Sequence, residues 1–148
     1  MRKISKVFEH ILVPYNDTTG SQRAFKKSVK IAAISGAKVT VLTCIEEYHT
    51  FGFFKTKASK REFEKERKFV EKQHMSMKNF AEKHGVSMNS KIAKNGVAGE
   101  RILEFADKQN VDLIIMGKKK SPSHYEKMHY HSTIEAVFRN TRCPILIV

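Results

Sequence analysis

Four stretches decide the architecture: Ile11-Leu12-Val13-Pro14, the turn Asn16-Asp17-Thr18-Thr19-Gly20, Ser21 to Ser35, and Val39 to Ile45. The first is a short β-branched run stopped by proline, which reads as a buried strand. After the turn, Ala24, Phe25, Val29, Ile31 and Ala32 mark one face of a helix. Thr19-x-x-Gln22 reads as its capping box and Gly36 as its left-handed stop. Val39 to Ile45, rich in Val, Thr and Ile, is a second buried strand. A helix between two hydrophobic strands implies parallel pairing through a right-handed crossover.

The period keeps switching along the rest of the chain. Residues 46–58 read as an irregular insertion, with Phe51, Phe53 and Phe54 exposed. Ser59-x-x-Glu62 then caps a long helix expected to reach His84 and stop at Gly85. Its apolar stripe is Phe63, Val70, Met77 and Ala81, and Glu64 is expected to pair with Lys68 on another face. Val86 to Ala93 alternates apolar with polar residues, as an edge strand does. Asn95-Gly96 turns into a helix carrying Ile102, Leu103, Phe105 and Ala106. Asp112 precedes Leu113-Ile114-Ile115-Met116, the most hydrophobic strand. A polar loop after Gly117 leads to Ser132-x-x-Glu135, the cap of a short helix with Val137 and Phe138, and Pro144 introduces a last strand, Ile145 to Val148.

This order, β-α-β-α-β-α-β-α-β, specifies an α/β fold: a Rossmann-like open five-stranded parallel sheet with helices on both faces. Ligands of such sheets bind beyond the carboxyl ends of the strands, where the winding direction reverses. The loops after Val13, Ile45, Ala93 and Met116 lie at that end.

Composition narrows the class. At 148 residues the chain suits one domain, 1–148, and its 41% of hydrophobic residues excludes wholesale disorder. The longest apolar run, around Leu113 to Met116, is far short of the ~20 residues that a membrane-spanning helix needs. Met1 to Lys6 lacks the apolar core of a secretory signal, so a cytoplasmic location is expected. Two cysteines, Cys44 and Cys143, are too few for a disulfide framework. Lys and Arg total 28 against 15 acidic residues, a net charge of +13. That excess attracts polyanions, whether nucleotide phosphates, nucleic acid or an acidic membrane face, without choosing among them, and a basic surface with no special ligand is as common.

Chemistry concentrates after the fourth strand. Gly117-Lys118-Lys119-Lys120-Ser121 leaves the sheet, and Ser132-Thr133 opens the next helix. A helix N-terminus presents N–H groups and partial positive charge, which suits a phosphate, while Ser132 serves equally well as a cap. His124, His129 and His131 sit beside Tyr125 and Tyr130, and His129-x-His131 could chelate zinc or nickel if extended, although such clusters are more often unliganded. Asp17 near a phosphate could hold magnesium, although a single carboxylate in a turn more often caps a helix. The chain lacks a nucleophile elbow, a His-Glu-x-x-His motif and a complete P-loop, so binding is favoured over catalysis.

Asp112 to Gly117, then Ser132, then Cys143-Pro144-Ile145-Leu146-Ile147-Val148 resemble the C-terminal half of a universal stress protein. His10 to Pro14, and Gly96 with Glu100, Ile102 and Ala106, fit the same family, and the likeness spans nearly the whole chain apart from the central insertion. The resemblance implies a homodimer and, as in many members, binding of ATP or another adenine nucleotide. The family's nucleotide loop reads Gly-x-x-Gly, nine residues, then Gly-Ser/Thr. Gly117 and Ser132 match its ends, whereas Lys120 and His131 stand where glycines belong and the spacer Ser121 to Tyr130 is one residue longer. Those side chains either obstruct phosphates or supply charge where the family uses backbone. Asn16 replaces the family's usual Asp, keeping an acceptor and adding a donor.

The resemblance therefore implies Asn16 and Cys44 at the base, and Gly117, Lys119, Lys120, Ser132 and Thr133 at the phosphates. Pro14, Met116 and His131 complete the candidate set. The terminal strand Ile145 to Val148 is the expected dimer element, since a hydrophobic strand at a sheet edge is open to a twin. One rival has lost its nucleotide and docks an acidic protein or nucleic acid on the basic helix from Ser59 to His84. A weaker rival hydrolyses ATP slowly.

Overall fold

A computed structural model describes residues 6–45, 57–94, 96–118 and 133–148. The elements are β1 (His10–Pro14), α1 (Thr19–Ser35), β2 (Lys38–Ile45), α2 (Lys57–Lys83), β3 (Met88–Lys94), α3 (Ala98–Lys108) and β4 (Leu113–Met116). A helix over 133–140, α4, and β5 (Ile145–Ile147) complete the order. The five strands form one sheet in the order β3-β2-β1-β4-β5, and every neighbouring pair is parallel. The α/β architecture expected from the sequence is the one observed. Winding reverses between β1 and β4, the central pair.

Alternation along the strands sorts the core into two layers. Ile11, Val13, Val39, Val41, Leu113 and Ile115 face α1 and α2, meeting Ala24, Phe25, Val29, Met77 and Ala81. Leu12, Leu42, Ile114 and Met116 face the other way, onto Ile102, Ala106 and Val137 of α3 and α4. Ile11, Leu12, Val13 and Ile114 are fully buried because helices cover both sides, which is why these strands read as continuous apolar runs. The strand β3 lies at the sheet edge as expected, but it exposes Asn89, Ser90 and Lys91 in succession, and Lys94, instead of alternating.

Several local expectations shift. The cap of α1 is Thr18 rather than Thr19: Thr18 is extended, its side chain accepts from the Ser21 N–H, and the Ser21 hydroxyl accepts from the Thr18 N–H. Asp17 adopts a left-handed conformation (φ 60°) just before it, so the chain is still turning at Thr18. Helix α2 begins at Lys57, two residues before Ser59, so the irregular reading of 46–58 overran by that much. Gly36 and Gly85 both have positive φ, as helix stops should. Glu64 pairs with Arg67 (2.8 Å) instead of Lys68, because the Arg67 fork reaches both Glu64 and Glu71 (2.6 Å). Phe51, Phe53 and Phe54 lie outside the described residues, as do Ser132 and the histidines of the polar loop.

Two buried histidines tie the layers to the sheet. His10, 5% exposed, bonds Thr40 on β2 (2.7 Å) and the Gln109 carbonyl (3.0 Å), while Asp112 accepts from the N–H groups of Glu9 and His10. His74 on α2, 3% exposed, bonds Thr43 on β2 (2.8 Å). Burial lowers the pKa of each imidazole below its ordinary value.

Candidate functional site

The ends of β1 and β4 deliver two turns to the same edge of the sheet. Leu12 lies opposite Ile114 and Pro14 opposite Leu42, so the register carries Pro14 alongside Met116, and Asn16 to the level of Cys44. The Tyr15 N–H donates to the Leu42 carbonyl (2.8 Å), extending the pairing one residue past the strand. Beyond it Asn16 and Asp17 are exposed. The Asn16 carboxamide oxygen accepts from the Thr18 hydroxyl (2.7 Å), which orients the side chain. Asp17 accepts from the Tyr15 hydroxyl (3.2 Å) and the Gln22 amide (3.4 Å). Burial, and then the Asp17 charge, raises the Tyr15 pKa above its ordinary value, so that hydroxyl stays protonated and donating.

The β4 exit is held against the first turn of α1. A Cβ at Gly117 would come within 1.8 Å of the Gly20 carbonyl oxygen, a backbone contact that no rotamer relieves. The guanidinium of Arg23 donates to the Lys118 carbonyl, and the Lys118 N–H donates to the Val148 carbonyl (2.8 Å). The turn is thus fixed on one side by α1 and on the other by the chain beyond β5. The family's loop pattern implies that Gly117 approaches phosphate; the close approach observed is to the Gly20 backbone.

Of the candidate residues, Pro14, Asn16, Cys44, Met116 and Gly117 lie at this edge, and Thr133 stands in the first described turn of α4. Met116 and Cys44 turn toward the α3–α4 layer, where both pack in its core. The Thr133 carbonyl lies 4.0 Å from where a Gly99 Cβ would stand, so α3 and α4 touch at their beginnings. Lys119, Lys120, His131 and Ser132 lie outside the described residues, as do His124 and His129. Among the described residues no three His, Cys, Asp or Glu side chains gather.

Sequence reasoning missed Arg23. Nothing in a helical pattern says that a cation two turns from Asn16 will reach a carbonyl ninety-five positions away. Ser21 was also missed, although a serine three residues after Thr18 is a recognisable partner for a reciprocal cap.

Other solved structures share this fold. The universal stress protein UspA from Lactobacillus plantarum matches with a TM-score of 0.79 at 20% identity, over 95% of this chain and 97% of that one. A universal stress protein in complex with cAMP matches with a TM-score of 0.71 at 18% identity, over 95% and 96%. The universal stress protein from Archaeoglobus fulgidus in complex with dAMP matches with a TM-score of 0.66 at 14% identity, over 95% and 98%. These likenesses concern the fold. The chain matches no curated protein, and no helix among its described residues is long and apolar enough to cross a membrane. The model of the universal stress protein family matches residues 8–148, all but the first seven positions. By its sequence, and in agreement with its sheet order, the chain belongs to the universal stress protein family.

Proposed function

We propose that this protein is a binding module for an adenine nucleotide, held at the carboxyl edge of the sheet between the turns after β1 and β4. The reading is carried by one observation: where winding reverses, Gly117 and Gly20 bring those turns into backbone contact, with Asn16 and Cys44 level with each other on the adjoining strands. In this reading the base lies by Asn16 and Cys44, and the Asn16 amide donates to a ring nitrogen. The phosphates lie toward Gly117, Lys119, Lys120, His131, Ser132 and Thr133, where the α4 N-terminus and the lysines supply positive charge. Pro14 and Met116 form the floor. The two family structures in complex with cAMP and dAMP support the choice of an adenine ligand.

The module pairs with a twin through β5 and passes nucleotide occupancy to a partner surface. Leu146 and Ile147, each 37% exposed, and Phe138, 65% exposed, give that edge apolar side chains to bury. Calorimetric titration with ATP, ADP, AMP and cAMP at physiological salt tests the nucleotide reading. Saturable heat with at least one is expected, and no heat with any at millimolar concentration rejects it. Phosphate release above background would add slow hydrolysis to binding.

A further inference from the structure

We propose that the face made by α1 and α2 binds the phosphate backbone of double-stranded nucleic acid, without sequence preference. Among the described helices, the excess positive charge lies on that side. Helix α1 contributes Arg23, Lys26, Lys27 and Lys30 and has no carboxylate. On α2 the residues Arg61, Lys65, Lys68 and Lys72 are all exposed and follow the spacing i, i+4, i+7, i+11, so they line one stripe. None of the four forms a salt bridge among the described residues: Glu64 and Glu71 pair with Arg67, and the exposed Glu62 and Glu66 pair with none of the four. Both helices pack on the same sheet face, where Phe25 and Phe80 meet with ring centroids 5.9 Å apart.

The opposite face is balanced. On α3, Glu104 bonds both Arg101 and Lys108, and on α4 Glu135 bonds Arg139 (2.6 Å). The charge distribution therefore has a direction, which net charge alone does not require.

The character of the stripe selects its partner. Eleven residues of helix span about 16 Å. At one charge per about 3.4 Å along each strand of a duplex, that length faces about five phosphates. A lipid surface would need an apolar helix face to insert, but Val70, Met77 and Ala81 are already buried against the sheet. A protein interface is ordinarily depleted in lysine at its centre, and this stripe is mostly lysine.

Fluorescence anisotropy with a labelled 20-base-pair duplex, as DNA and as RNA, tests the inference on the full chain. Four to five neutralised phosphates predict affinity falling about 150- to 500-fold between 50 and 200 mM salt. Lys65→Glu, Lys68→Glu and Lys72→Glu together should weaken binding at least about 30-fold more than Lys108→Glu, Arg139→Glu and Arg142→Glu. The second set removes the same charge from the other face. Should the first variant fail to fold, the three lysines as Gln take its place, with the same ranking expected. Absence of binding at 50 mM salt, equal losses in the two sets, or tighter binding to polyglutamate or anionic vesicles would each overturn the proposal. Preference between DNA and RNA identifies the source of the duplex. The outcome does not depend on the nucleotide site, which lies at the sheet edge.

Discussion

Replacing Gly117 by alanine separates the two explanations for a glycine at that position. If the residue is glycine because backbone must approach a phosphate, Gly117→Ala should leave the ligand-free protein nearly as stable as before. The geometry says otherwise. The added methyl would stand 1.8 Å from the Gly20 oxygen, 2.1 Å from its carbonyl carbon and 2.8 Å from its Cα. Ordinary contact begins near 3.4 Å, so β4 and the start of α1 must move apart by well over an ångström. Overpacking of this kind costs about 1–3 kcal/mol, and a backbone neighbour puts the site at the upper end. Separation also strains the hydrogen bond from Arg23 to the Lys118 carbonyl, adding about 1 kcal/mol. A total of about 3–4 kcal/mol lowers the melting temperature of a domain this size by roughly 6–16 °C. Urea unfolding of nucleotide-free protein measures it at constant m-value. A loss below about 0.5 kcal/mol would refute the packing argument and return Gly117 to the ligand.

Four further outcomes follow from the same geometry. His10 and His74 have pKa values lowered by burial, so between the folded values and 6.5 the unfolded chain binds more protons. Their contribution is present above pH 6.5 and is lost as pH falls through the folded values; a stability that rose on acidification below 6.5 would contradict it. Thr18→Ala removes the reciprocal cap with Ser21 and should cost about 1 kcal/mol by urea melt. Asp112→Ala removes a carboxylate that accepts from two N–H groups at the start of β1, at 2.8 and 2.9 Å, and should cost about 1.5–3 kcal/mol. On the proposed pairing through β5, the unaltered chain should scatter light as a dimer and the Leu146→Glu, Ile147→Glu variant as a monomer; equal masses for the two would contradict that pairing.

The strands β1, β2 and β4 were legible in the sequence because they are buried on both faces and so carry mostly apolar runs, while the exposed edge strands β3 and β5 were placed by the turns and Pro144 around them. Period switching alone then gives the element order, and Gly36 and Gly85 mark helix ends through a conformation other residues avoid. The misreadings are local. Thr18 and Thr19 are adjacent threonines, and only the turn at Asp17 decides which one caps. Glu64 had cations both three and four residues away, and the choice fell to the one whose planar fork also reaches Glu71. The edge of the sheet that carries the candidate site followed from topology, whereas Arg23 at Lys118 and the histidine pairs with Thr40 and Thr43 depend on long-range packing. Cys44 illustrates the limit well: its strand position was readable, but its packing on the α3–α4 layer follows from three-dimensional contacts.

Amide NMR shifts recorded during titration with AMP or ATP bear most directly on the nucleotide reading, because they report both binding and place. The expected result is saturable change at Tyr15 to Thr18, at Thr43 to Ile45 and at Met116 to Lys118, with α2 beyond Lys60 unmoved. Silence at those positions with millimolar nucleotide, or change confined to the cationic stripe of α2, would contradict it.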